Sequence, residues 1–205
     1  MMKYCCIIVL LFGMGLSTFG QNIDINLLRD INVNRNTKLD KPFLGITHSA
    51  APISMAAPIV AFSLGLITKN MDLRKKGFFL GEVLVVSTAI TLGMKYGIKR
   101  ERPYSAYPEI QKLTSGGGPS FPSGHTSIAF ATAASLSMAF PHWYVAAPAF
   151  LWAGAVGYSR MHLGVHYPSD VLMGALIGSG AAVLSFYMNR WMNSRLQQPF
   201  FFPMH

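Results

Sequence analysis

The sequence predicts an all-α membrane protein built as a multi-pass helical bundle. Of its 205 residues, 51% are hydrophobic and only 12% charged, about half the charge of an ordinary soluble domain. The apolar residues gather in five long stretches, and the basic residues fall in short clusters between them. A net charge of +9 suggests an anionic partner, but the basic residues form no single stripe of the kind nucleic acid requires. Topology and a negatively charged substrate account for their placement instead.

Residues 1–20 read as a secretory signal, with Lys3 in a polar start, an apolar run from Cys5 to Leu16, and Ser17 to Gly20 as the cleavage region. The alternative is a retained first span, which gives six spans instead of five. Cys5 and Cys6 are the only cysteines, so no disulfide framework or cysteine metal site is available beyond this segment. Residues 21–49 follow as a mixed segment in which Leu27, Leu28 and Ile31 share one helical face, fitting an interfacial amphipathic helix or a surface helix packed on the bundle.

The catalytic bundle is expected over residues 50–192, with spans at Ala50 to Thr68, Phe78 to Ile98, Pro122 to Phe140, Trp143 to Tyr158 and Val171 to Tyr187. At ~1.5 Å per residue the longer ones reach about 30 Å, the thickness of the hydrocarbon core. The fourth is short and contains Pro148. Ala129, Ala131, Ala133, Ala134, Gly174 and Gly178 give the third and fifth spans small faces that allow close packing. Residues 193–205 form a cytoplasmic tail whose Phe200, Phe201 and Phe202 suit an interfacial anchor.

Orientation follows from the link after the first span, where Lys69, Arg74, Lys75 and Lys76 stand against one Asp72. This loop is expected in the cytoplasm. Residues 99–121 and 159–170 then face outward, to the periplasm if the membrane is a bacterial inner membrane. The Gly116–Gly118 run in the first of these is either a lid or a linker.

Three clusters of reactive residues sit at the outward ends of different spans: Lys95 with Arg102 and Pro103; Pro122, Ser123, Gly124 and His125; and Ser159, Arg160, His166 and Asp170. Lys95, Arg102 and Arg160 supply three cations, and each arginine has the fork for two parallel bonds to phosphate oxygens. With Pro122 at the first helical position, the amides of Ser123 and Gly124 would be unpaired donors at a positive helix end. His166 can attack phosphorus and His125 can protonate the leaving oxygen. Asp170, four residues on, can fix the His166 tautomer.

Lys95 and Arg102–Pro103 are separated by six residues, the Pro122–His125 motif follows, and Arg160, His166 and Asp170 are spaced by five and three. This order resembles the type 2 phosphatidic acid phosphatase (PAP2) family, related to the vanadium haloperoxidases, over residues 75–190. The resemblance implies that His166 becomes phosphorylated, that His125 acts as acid, and that Lys95, Arg102, Ser123, Gly124 and Arg160 bind phosphate, with no metal or other cofactor. The expected activity is hydrolysis of a phosphomonoester or terminal diphosphate of a membrane lipid. Two rivals are a vanadate-dependent haloperoxidase using the same pocket and a non-enzymatic lipid-binding or transport protein.

Other polar residues receive quieter readings. Lys99, Arg100 and Lys112 are expected to anchor headgroups. Glu82 is expected to pair with Lys75 and Lys76, and His162 to pack or support the site. His48, His142 and His205 are background.

Overall fold

The computed structural model describes the backbone of residues 22–196 and the side chains of residues 22–192. The signal or first-span segment at 1–20, His205 and the Phe200–Phe202 anchor lie outside the described residues. Those described are helical, with no strand among them. α1 covers residues 22–32, and a 3-10 turn at Thr37–Leu39 leads into α2 (Asp40–Ile67). α3 (Met71–Ile98), the short α4 (Pro103–Ala106), α5 (Gly124–Ala139), α6 (Trp143–His162) and α7 (Pro168–Leu196) complete the chain.

Helix boundaries follow local chemistry. α2 starts ten residues before the apolar stretch at Ala50, because Asp40 suits the positive end of a helix and Pro42 falls in the first turn, where no internal acceptor is needed. Pro52 and Pro58 lie inside α2 without ending it. α3 begins where the Asn70 side chain accepts the Leu73 amide at 3.1 Å. It ends where Lys99 turns left-handed, at φ 54°.

Three helical segments, Thr37–Ile67, Met71–Ala106 and Pro168–Met192, are long and apolar enough to cross a membrane. Their outer surfaces are inverted relative to those of a soluble protein, while the core is apolar as well, with Phe79, Leu80 and Val83 of α3 buried. α2 buries Thr47 and Ser54 and exposes Ile53, Met55, Ile59 and Phe62, while α3 buries Ser87 and Thr91 and exposes Phe78 and Val85. Large apolar side chains facing outward over such lengths are what hydrocarbon selects.

α5, at 16 residues, spans only about 24 Å, and it is the central helix. It packs against α2, α3, α6 and α7, burying Ala129, Ala131, Ala133 and Ala134. Ser127 on α5 joins Ser87 and Thr91 on α3, at 2.7 and 2.9 Å. α6 runs on past the expected end at Tyr158 to His162, 20 residues in all, with Pro148 inside it.

The α5–α7 contact depends on two glycines. A Cβ on Gly174 would meet the Ser123 carbonyl at 2.6 Å, and one on Gly178 would strike the Ser127 carbonyl. Gly178→Val is therefore expected to lower the melting temperature of the detergent-purified protein, by the equivalent of about 1–3 kcal/mol or more. Gly180→Ala, on the same helix with open space around it, is the control and should leave melting unchanged or slightly raised.

Two expectations change here. The buried face of α1 is Asp24, Ile25, Leu28 and Asn32, while Leu27 is exposed. Ile25 and Leu28 pack with Ile110 and Tyr167, so of the two readings α1 is the surface helix packed on the bundle, at the end opposite the α2–α3 turn. Glu82 accepts from Asn189 at 2.8 Å, whereas Lys76 pairs with Asp72 one turn away at 2.8 Å and lies over the Phe140 ring. The nearer carboxylate on its own helix face satisfies Lys76.

Candidate active site

All three sequence clusters meet at one end of the bundle, opposite the α2–α3 turn. Lys95 comes from the last turn of α3, Arg102 from the residue before α4, Ser123 to His125 from the start of α5, Arg160 from the end of α6, His166 from the α6–α7 turn, and Asp170 from the first turn of α7. α7 starts at Pro168, so His166 and Asp170 fall one turn apart. The Asp170 carboxylate also folds back to accept the Tyr167 amide at 3.0 Å, serving one of the amides a helix start leaves open.

Asp170 is wholly buried. Its Oδ2 faces His166 Nδ1 at 3.4 Å and accepts from the Ser120 hydroxyl, and its Oδ1 is held by Arg100 Nη1 at 2.8 Å. A carboxylate at Nδ1 selects the tautomer with its proton there, leaving Nε2 with a free lone pair. That Nε2 lies 3.4 Å from Arg102 Nη1, pointing at the cations. Burial pushes the His166 pKa down to about 3 despite the attraction of Asp170, so the ring is neutral at physiological pH.

The cations are more engaged than a simple clamp requires. Lys95 donates to the Pro119 carbonyl at 2.6 Å. Arg102 donates to the carbonyls of Gly118, Gly117 and Val165 at 2.9, 2.9 and 2.8 Å. The Gly-rich loop thereby fixes the plane of the Arg102 guanidinium, whose Nη1 also lies 3.4 Å from His166 Nε2. Gly117 and Gly118 therefore hold Arg102 through backbone carbonyls, and Gly116 accepts from the Tyr104 hydroxyl at 2.9 Å.

Arg160 differs. Its Nη1 donates to Thr47 at 2.6 Å and its Nη2 to the Ser115 carbonyl at 3.2 Å, yet Nε is buried with no partner. Among the described residues, only Ser185 Oγ shares that condition. Arg160 thus brings a third cationic charge near Arg102, Lys95 and His166, with one buried N–H donor not yet committed to the protein.

The α5 start is displaced by two positions from expectation, with Gly124 in place of Pro122 as the first helical residue. Ser123 is the residue before the helix, and its amide bonds the Asp170 carbonyl at 3.0 Å, tying α5 to α7. Its hydroxyl meets Thr126 Oγ1 at 2.8 Å. The amides with no acceptor inside the helix are then those of Gly124, His125 and Thr126. His125 is half-buried, in electrostatic reach of Arg160, His48, Arg102 and Lys95.

Arg100, read from sequence as a headgroup anchor, belongs to this network, because buried carboxylates outcompete solvent for its fork. It binds Asp170 and also Asp24, at 2.7 Å. Asp24, Ser120 and Thr47 had no sequence signal, being distant in the chain from what they touch. Lys112 lies over the Tyr104 ring. His162 is buried, bonded through Nε2 to Asp40 at 2.8 Å and packed on Phe43, a packing role. Among the described residues no three His, Cys, Asp or Glu side chains converge as a metal site.

The PAP2 superfamily model matches residues 76–194, a stretch that contains every one of the motif residues and more than half the chain. The chain belongs to the PAP2 superfamily. Among its curated relatives are a lipid A 4'-phosphatase of Bacteroides thetaiotaomicron, 34% identical over 47% of this chain and 43% of that one, and an undecaprenyl-diphosphatase of Sulfolobus acidocaldarius, 33% identical over 58% and 60%. The chain thus spans less than two thirds of the length of either. The undecaprenyl-diphosphatase BcrC of Bacillus subtilis is 29% identical over 82% of this chain and 81% of its own. The crystal structure of LpxE from Aquifex aeolicus superposes with a TM-score of 0.68 at 27% identity, covering 80% of this chain and 95% of that one. A transmembrane PAP2-type phosphatidylglycerolphosphate phosphatase from Bacillus subtilis superposes at 0.71, 24% identity, 88% and 94% coverage. The second shows a shared fold. With the inverted outer surfaces, these likenesses make this PAP2 chain a membrane protein.

Proposed function

We propose that this PAP2 protein is a lipid phosphatase that hydrolyses a phosphomonoester or terminal diphosphate through a phosphohistidine at His166. The observation that carries this is the neutral His166, oriented by Asp170, with Nε2 turned toward the Arg102 guanidinium at 3.4 Å and within electrostatic reach of Arg160.

In the first step Nε2 attacks phosphorus and the P–O bond to the lipid breaks. The leaving oxygen takes a proton from His125. Water then attacks the phosphohistidine, giving its proton to His125, and inorganic phosphate departs with His166 neutral again. Lys95, Arg102, Arg160 and the amides at the α5 start stabilise the charge on the equatorial oxygens, with Ser123 and Gly124 shaping that helix end. Asp170 supports the charge that develops on the His166 ring.

A lipid substrate fits a site at the mouth of an apolar bundle, where a headgroup enters while its chains stay in the bilayer. Relatives named for lipid A and undecaprenyl diphosphate point to the same class. The cationic Lys69–Lys76 turn at the far end favours a bacterial inner membrane with the site facing the periplasm, and α5 and α6 then complete five spans with their neighbours.

The test is phosphate release by the detergent-purified protein from undecaprenyl diphosphate, phosphatidylglycerol phosphate, phosphatidic acid and lipid A, with chelator present. Release from at least one, with the preferred lipid naming the substrate, supports the proposal. No release from any of them overturns it. Arg160→Lys is expected to lower kcat/KM by about ten- to a hundredfold, because an ammonium cannot hold Thr47 and Ser115 while also presenting a donor in the Nε position. Kinetics on the preferred lipid check this.

A further inference from the structure

We propose that Asp24 and Arg100 are positioning residues for His166, forming with Asp170 a chain of alternating charges by which α1 holds the attacking ring in register. This rests on the reading of His166 as the nucleophile. Asp24 lies outside residues 76–194, the part of the chain that the family model matches.

The argument begins with the two oxygens of Asp170. Oδ2 is shared by His166 Nδ1, the Ser120 hydroxyl and the Tyr167 amide, whereas Oδ1 has Arg100 Nη1 as its donor, at 2.8 Å. Without Arg100, a fully buried carboxylate oxygen would lose its charged donor. The carboxylate would then rotate toward other donors and carry Oδ2 away from the imidazole.

Arg100 is itself held from several sides. Nη1 also donates to Ser169 Oγ at 2.7 Å, Nη2 donates to Asp24 Oδ2 at 2.7 Å, and the guanidinium lies 3.8 Å from the centre of the Tyr167 ring. Such a site uses the planar fork of arginine, which lysine cannot copy.

Asp24 completes the chain from across the molecule. Its Oδ1 accepts the Ser169 amide at 2.8 Å, and its Oδ2 accepts the Ser169 hydroxyl as well as Arg100. Ser169 is the second residue of α7, so a carboxylate from α1 caps the helix that carries Asp170. α1 is in turn fixed over the outward loop by Arg29 to Glu109 at 2.7 Å and by Asn32, which donates to the His162 carbonyl at 2.8 Å and accepts the Gln111 amide at 2.8 Å. Its apolar residues Ile25 and Leu28 cover the ring of Tyr167, next to the nucleophile.

A purely structural ion pair would affect stability and leave turnover per folded molecule alone. The experiment therefore measures kcat, KM and melting together for Asp24→Asn, Arg100→Gln and Arg100→Lys, on the lipid the wild type prefers. Asn keeps the shape of Asp24 and can still accept the Ser169 amide. The expected result is a fall in kcat of about tenfold or more for Asp24→Asn and Arg100→Gln, with KM within about twofold, because neither residue touches phosphate. Arg100→Lys should recover only part of the loss. In an Asp170→Asn background, Arg100→Gln should add little, since its effect passes through that carboxylate.

Full kcat per folded molecule in Asp24→Asn and Arg100→Gln overturns the inference, even if melting falls. So does an Arg100→Gln effect that simply multiplies that of Asp170→Asn. Either result, with His166→Ala inactive, leaves the phosphatase reading standing. A wild type that releases no phosphate from any lipid removes both.

Discussion

His166→Ala is expected to abolish phosphate release, with kcat/KM falling by at least about 10^4-fold, the scale on which removal of an enzyme's nucleophile is felt. Nothing nearby can substitute: His125 belongs to a different helix and lacks a carboxylate behind it, and His162 is turned away into its bond with Asp40. Brief mixing with lipid labelled in its terminal phosphate should trap label on the wild-type protein, acid-labile and base-stable as a phosphoramidate is, and none on His166→Ala. An unlabelled wild type that still turns over would point to direct attack by water. The pH dependence is a second check. A histidine titrating at its usual 6.5 would lose about nine-tenths of its neutral form by pH 5.5. Burial lowers His166 to about 3, and a lowered pKa keeps the neutral form dominant at every pH above it. Formation of the phosphoenzyme should therefore show no His166 limb between pH 5 and 7 after the ionisation of the lipid phosphate is divided out. A protein-borne limb near 6.5 that persists when each of the other histidines is replaced in turn would contradict this.

The residues at the centre of this chemistry were legible because their spacing is local. His166 and Asp170 are four apart and α7 begins between them, so one helical turn fixes their relation. Lys95, Arg102, Ser123, Gly124, His125 and Arg160 stood out through their order and spacing in three motifs, since a basic residue or a serine at one helix end alone has blander uses. Span order alone brought them to one face. What stayed hidden depends on distance along the chain or on a shift of two positions in register. Asp24 reaches Ser169 across 145 residues, and an acidic residue early in a chain carries no mark of its partner. Arg100 stands in a run with Lys99 and Arg102, where a basic residue at a helix end ordinarily serves as an anchor. Its fork met two carboxylates instead. The α5 start moved from Pro122 to Gly124 because the Ser123 amide was claimed by the Asp170 carbonyl, a bond between helices that proline and capping preferences do not register. The Gly116–Gly118 run was open to two readings, lid or linker. Its carbonyls on Arg102 give it a third use, as a cradle that holds that guanidinium in place.

Asp170→Asn is the other substitution with a large expected effect, about 10^3–10^4-fold in kcat with KM changed only severalfold, by the logic that a misdirected tautomer disables a correctly placed imidazole. Four donors converge on the carboxylate: His166 Nδ1, the Ser120 hydroxyl, the Tyr167 amide and Arg100 Nη1. An aspartate accepts from all of them with two oxygens. An asparagine has one oxygen and one amide nitrogen, so in one orientation its N–H groups face Arg100, and in the other they face Tyr167, Ser120 and the imidazole. The second orientation forces the His166 proton onto Nε2, where it blocks attack on phosphorus. The first keeps the tautomer but sets two donors against each other and removes the negative charge that supports the ring once it carries phosphate. Both orientations lose the reaction, and neither disturbs Lys95, Arg102 or Arg160, which is why substrate binding should survive. Measuring kcat and KM separately on the preferred lipid decides the matter. If Asp170→Asn keeps more than about a tenth of wild-type kcat, the carboxylate is only a brace for the α5–α7 junction, and the orientation of His166 must come from the packing of its buried ring alone.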